Sequence, residues 1–160
     1  MSKIPRKALP TNMQRGSDGK RWEMNLDSKR NTGNAGLSLA IAYFGAHGHT
    51  VSIPLNDTQE YDLIVDIGGK LNKVQVKTTN CVNKNGSYLV SLRSISGTTR
   101  KVYKTVKDTN VDILFCVCGD GTMYSIPKSA VKNATVMSLR KEKSKYSCAE
   151  QDYSRFIVNF

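Results

Sequence analysis

The sequence predicts an α/β domain built on one mixed β-sheet. Three observations carry that expectation. An apolar stripe of helical period lies near residue 40. A series of short β-branched runs is joined by tight-turn signals. The length, 160 residues, suits one compact domain and not two.

Taken in order, the elements are these. In GLSLAIAYF, Leu37, Ala40, Ile41 and Phe44 follow the i, i+3, i+4, i+7 spacing of one helix face. Asn34 is placed as the N-cap, and Gly48 as the left-handed residue that ends the helix. HTVSIP follows as a short strand closed by Pro54, then LNDTQE as a polar loop. YDLIVDI and LNKVQVKTT are two strands around a Gly68-Gly69 turn. NCVNKNG is a turn, SYLVSLRSI a strand, and SGTTRKVYKTVKDT a basic, poorly periodic connection. DILFCVC and TMYSIP pair around Gly119-Asp120-Gly121. Pro127 opens a short helix, PKSAVKN, at the first-turn position that tolerates proline. The charged run RKEKSK leads to a last apolar strand, RFIVNF.

Charge narrows the function. Lys and Arg number 24 against 13 Asp and Glu, a net charge of +11. Such an excess favours a polyanionic partner, nucleic acid ahead of an acidic membrane surface. No apolar run approaches the roughly 20 residues of a membrane-spanning helix, and the first residues lack the apolar core of a secretory signal. A cytoplasmic protein that engages no membrane is therefore expected. In a reducing cytosol its four cysteines are free thiols, with Cys116 and Cys118 packing as small hydrophobes. His47, His49, Cys116 and Cys118 do not have the spacing of a structural zinc site. Residues 1–33 read as a basic arm and 34–160 as the folded domain; Trp22 implies that part of the arm packs on something.

The hairpin holds the chemistry. If Gly68 and Gly69 are the central turn residues, Ile67 faces Lys70, Asp66 faces Leu71 and Asp62 faces Gln75. Side chains alternate along a strand, so Gln75 and Lys77 share a face. Asp62, Gln75 and Lys77 then converge at the open end of one hairpin, and a one-residue slip destroys the arrangement. An acid, an amide and a lysine on one surface suit metal-assisted phosphodiester cleavage. The carboxylate anchors Mg²⁺, a cation that takes hard oxygen ligands and keeps several waters. The Gln75 side-chain oxygen and the Val76 carbonyl are further donors. Such an ion lowers the pKa of a bound water, and Lys77 orients that water or neutralises charge building on phosphate. The plainer alternative makes Asp62 and Lys77 a cross-strand ion pair on a solvated face.

Residues YDLIVDIGGKLNKVQVKTT, with NAGLSLAIAYFGAHGHTVSIP before them, resemble the PD-(D/E)XK nucleases, and within them the group I intron-associated homing endonuclease branch. In that branch glutamine commonly replaces the acid of the D/E-x-K motif. Here the motif is Gln75-Val76-Lys77, and Tyr61-Asp62 stands for the "PD". VDILFCVCGDGTMYSIPKSAV is similar to the family's last core strands and helix, so the likeness spans roughly residues 34–131. The resemblance implies a restriction-endonuclease-like core, a mixed sheet flanked by helices. It implies Asp62 and Gln75 as metal-site ligands, Lys77 as the catalytic lysine, and Mg²⁺-dependent cleavage of double-stranded DNA by a homodimer or tetramer. Many relatives carry a glutamate in the first helix, in a G-E-x-x-A-like segment. The helix here reads Gly36-Leu37-Ser38-Leu39-Ala40, with no acid. Asp66, Glu60 and Asp57 are the candidates for a second carboxylate. Arg93, Arg100, Lys101 and Lys104 are expected to grip phosphates. A catalytically silent DNA-binding protein, a Holliday junction resolvase, and a module for an acidic protein partner are the alternatives.

Overall fold

Among the described residues one long helix, α1 (Lys29–Ala46), lies on a sheet whose strands are β1 (Thr50–Ser52), β2 (Leu63–Ile67), β3 (Lys70–Thr79), β7 (Ile113–Cys118), β8 (Met123–Pro127) and β10 (Ile157–Val158), in that spatial order. The computed structural model describes residues 29–56, 58–96, 102–142 and 152–160. β3 and β7 run parallel and the other neighbours antiparallel, so the sheet is mixed, as expected. Two separate two-stranded sheets complete the described strands. One pairs β4 (Tyr88–Ser91) with β9 (Val136–Leu139), the other β5 (Arg93–Ser96) with β6 (Val102–Thr105).

The helix forms where its apolar stripe can be buried. Ala40 and Phe44 are buried against Leu63, Val65, Val74, Phe115 and Val117, with Leu37 and Ile41 partly buried beside them. Its N-terminus differs from expectation. The helix starts at Lys29, five residues before Asn34, and the Asn34 carbonyl accepts the Ser38 hydroxyl inside it. Asparagine and glycine are poor helix formers, but propensity is a weak prior beside packing. The C-terminus is as expected. Gly48 is left-handed (φ 76°), its N–H donates to Gly45 O, and the His49 N–H donates to Phe44 O, the paired bonds of a Schellman stop.

Alternation sends Leu114, Cys116, Cys118, Tyr124 and Ile126 to the other face. There they form a second core with Val90, Met137 and Leu139 from a small sheet and Leu92 just after its first strand. Among the described residues this face is covered by strands, not by the second helix expected at PKSAVKN. Pro127 is the last residue of β8, paired with Ile113, and only Lys128–Ala130 makes a 3₁₀ turn. Val131 returns to an extended conformation (ψ 124°) to bury its side chain, which stops any helix there. SYLVSLRSI also divides. Buried Leu92 marks the point where the chain leaves the β9 partnership for β6.

Candidate active site

Three local facts assemble the site. First, Gly68 and Gly69 both have positive φ (61° and 84°), as a type I′ hairpin requires, and the Asp66 carboxylate accepts the Gly69 N–H at 2.8 Å. Second, this turn fixes the register: Ile67 opposes Lys70, Asp66 opposes Leu71 and Leu63 opposes Val74. Third, β2 begins only at Leu63. Just before it the Asp62 N–H still donates to Val74 O at 2.9 Å, while the Asp62 carboxylate accepts the Val76 N–H at 2.6 Å. The side chain thus replaces the backbone partner that β3 loses where β2 departs.

Face assignment follows from alternation. Val74 and Val76 pack toward α1, so Gln75 and Lys77 lie on the opposite face, with Asp62 at its edge. Val76 pairs with Phe115 and Lys77 with Cys116 on parallel β7, which places the motif mid-sheet. Gln75 is 8% exposed and Lys77 half-buried. Burial lowers the Lys77 pKa below the usual lysine range, opposed by the charge of Asp62. The protein around Asp62 raises its pKa, although the side chain keeps access to solvent; the Val76 N–H and the Lys77 charge oppose that rise. Each group's charge opposes the other's shift.

The donor set suits a hard divalent cation. A strand residue turns its N–H and C=O to the same side, so the Val76 carbonyl points to the edge where Asp62 sits. Asp62, the Val76 carbonyl and the Gln75 amide offer oxygen only. Among the described residues no group of three or more His, Cys, Asp or Glu side chains comes together.

The candidate second carboxylates are otherwise engaged. Asp66 holds the hairpin turn. Glu60 bonds the Lys104 Nζ at 2.7 Å and the Asn110 N–H at 3.1 Å. Asp57 lies outside the described residues. Of the expected phosphate contacts, Arg93 is exposed on β5, Lys104 is paired with Glu60, and Arg100 and Lys101 lie outside the described residues, as does the arm through residue 28. Cys116 and Cys118 are fully buried core residues, and the His47 Nδ1 is 2.8 Å from the Tyr43 carbonyl at the end of α1. Sequence reasoning does not foresee the Glu60–Lys104 pair. Its members are 44 residues apart in separate elements, and no local pattern links them.

Residues 27–153 match the sequence profile of the PD-(D/E)XK endonuclease family. Protein 5.3 of Escherichia phage T7 is 32% identical over 116 residues, covering 72% of this chain and 94% of that protein. The structure of the bacterial homing endonuclease I-Ssp6803I superposes with a TM-score of 0.62 at 27% identity, covering 75% of this chain and 82% of that one. The match spans the helix, the site hairpin and the central strands alike: this chain belongs to the PD-(D/E)XK endonuclease family.

Proposed function

We propose that this protein is a divalent-metal-dependent endonuclease that hydrolyses phosphodiester bonds in duplex DNA, in the manner of the homing endonuclease it resembles. One observation carries the reading: the Asp62 carboxylate is fixed on the Val76 N–H, at the edge of the face that presents Gln75 and Lys77. Asp62, the Gln75 amide oxygen and the Val76 carbonyl would hold Mg²⁺. When bound, such an ion supplies Lewis acidity to the phosphate and acidifies a water.

The chain's own residues do the rest. The Val76 N–H orients the carboxylate and leaves its second oxygen for the ion. Lys77, partly shielded from water, places an ammonium where charge builds on the phosphate, and low local dielectric strengthens that contact. The basic surface attracts the duplex without reading its sequence. One such site cuts one strand, so double-strand scission calls for a second copy, and a homodimer or tetramer is part of the proposal.

The test is plasmid nicking in low salt, comparing wild type with Lys77→Ala, each with Mg²⁺ and with EDTA. Expected is nicking that needs Mg²⁺ and falls at least about a hundredfold in the variant. Cutting that persists in Lys77→Ala, or in EDTA, overturns the assignment.

A second reading, a DNA-binding protein without catalysis, is favoured by one feature. The position that follows Gly36 in α1 is Leu37, partly buried in the core, so α1 adds no acid to the single site carboxylate. It predicts salt-sensitive DNA binding with no metal-dependent nicking.

A further inference from the structure

We propose that Glu60 is a positioning residue, which sets the angle of the β5–β6 ribbon against the catalytic face; this rests on the nuclease reading above. The β5–β6 pair belongs to neither of the other sheets. An isolated two-stranded ribbon is marginal in water and depends on its attachments. At its base the ribbon is closed by the Val106 N–H on Leu92 O (3.1 Å) and tied to the segment before β9 by the Leu92 N–H on Thr135 O (2.9 Å). Leu92 and Val106 are both buried. Those bonds hold the base of the ribbon.

Glu60 adds a tie higher up the ribbon. One carboxylate oxygen accepts the Lys104 Nζ of β6 at 2.7 Å, and the other accepts the Asn110 N–H, ahead of β7, at 3.1 Å. Only Tyr61 separates Glu60 from Asp62, whose own N–H and carboxylate are both fixed to β3. The ribbon, the approach to β7 and the catalytic acid thus meet at one side chain. A two-stranded ribbon is among the shapes that the major groove admits. Arg93 and Lys104 give this one positive charge. A fixed angle then decides which phosphodiester lies over Asp62 and Lys77 when the ribbon is seated.

The proposal makes binding and cutting move in opposite directions. Glu60→Gln keeps a carbonyl oxygen for Asn110 but releases Lys104, adding one net positive charge to the ribbon. DNA binding in EDTA should then be at least as tight as wild type, with a log–log salt slope steeper by about one. Single-turnover cleavage at saturating DNA should fall by about tenfold, because the scissile bond is held off its productive position. Lys104→Arg should keep the wild-type rate. Lys104→Gln should lose as much as Glu60→Gln, and the double variant no more than either, the non-additivity of one shared interaction. Weaker binding in Glu60→Gln, cleavage at the wild-type rate, or additive losses in the double variant each overturn the clamp. Wild-type protein that cuts no DNA, while Glu60→Gln still binds more tightly than it, defeats the nuclease reading itself and the clamp with it. A merely structural Glu60 would lower the melting temperature and leave the salt slope alone.

Discussion

The pKa directions of Asp62 and Lys77 give the sign of what each contributes to stability. Burial lowers the Lys77 pKa. Between that lowered value and the ordinary lysine range, the unfolded chain holds a proton that the folded chain has shed. Stability therefore rises with pH across that window, and below it the buried charge costs its full amount. Asp62 is the mirror case. Its pKa is raised, so between the ordinary aspartate value and the raised one the folded chain keeps a proton that the unfolded chain has lost. Stability falls as pH rises through that window, and the full cost persists at neutral pH. Lys77→Met is expected to melt about 2–4 °C higher than wild type at pH 7 and to lose the alkaline slope, while cleavage is abolished. Asp62→Asn, which keeps an acceptor for the Val76 N–H, is expected to be inactive and no less stable. Denaturation midpoints measured from pH 4 to pH 10 check both; a Lys77→Met protein less stable than wild type at pH 7 contradicts the account.

At the scale of elements, α1 reaches β3 through one close approach. A Cβ built on Gly36 would lie 1.8 Å from the Thr78 Oγ1, one residue beyond Lys77. Gly36→Ala must push the helix off the strand, at a cost of about 1–3 kcal/mol. The Thr78 hydroxyl is itself buried with no hydrogen-bond partner among the described residues. Thr78→Val should therefore stabilise by about 1 kcal/mol, since it removes a desolvated hydroxyl at constant shape. Urea denaturation checks both signs. This approach is not legible in the sequence, because glycine inside a helical pattern reads only as weak propensity. The site hairpin is legible, because a Gly-Gly turn admits few geometries and strict alternation then fixes every pair down to Leu63 and Val74. β9 shows the opposite case. Its Met137 and Leu139 are buried and Val136 and Ser138 exposed, yet four residues of period 2 beside a charged run carry too little signal. The 3₁₀ turn after Pro127 reads as a helix because proline suits both a helix start and a strand end.

Over the whole molecule, positive charge extends beyond the described residues. Residues 1–26 carry Lys3, Arg6, Lys7, Arg15, Lys20 and Arg21 against two acids, and precede the region that matches the family. Removing them should leave Lys77-dependent nicking intact. It should also flatten the salt dependence of DNA binding by about 0.9 for each phosphate that the arm neutralises. A slope unchanged by the truncation would assign the electrostatic grip to residues 27–160.

The parallel pairing of β3 with β7 also has a consequence in time. The β2–β3 hairpin closes through a two-residue turn, an event of about 1–10 µs. Lys77 meets its partner Cys116 only when a strand 39 residues further along docks beside it, and such non-local pairing is slow. Until then Lys77 lacks the neighbouring strand that helps to bury it. In stopped-flow refolding, cutting competence should return with the last phase, after the hairpin signal is complete. The strands that carry Asp62, Gln75 and Lys77 thus meet early, and the burial of Lys77 is completed last.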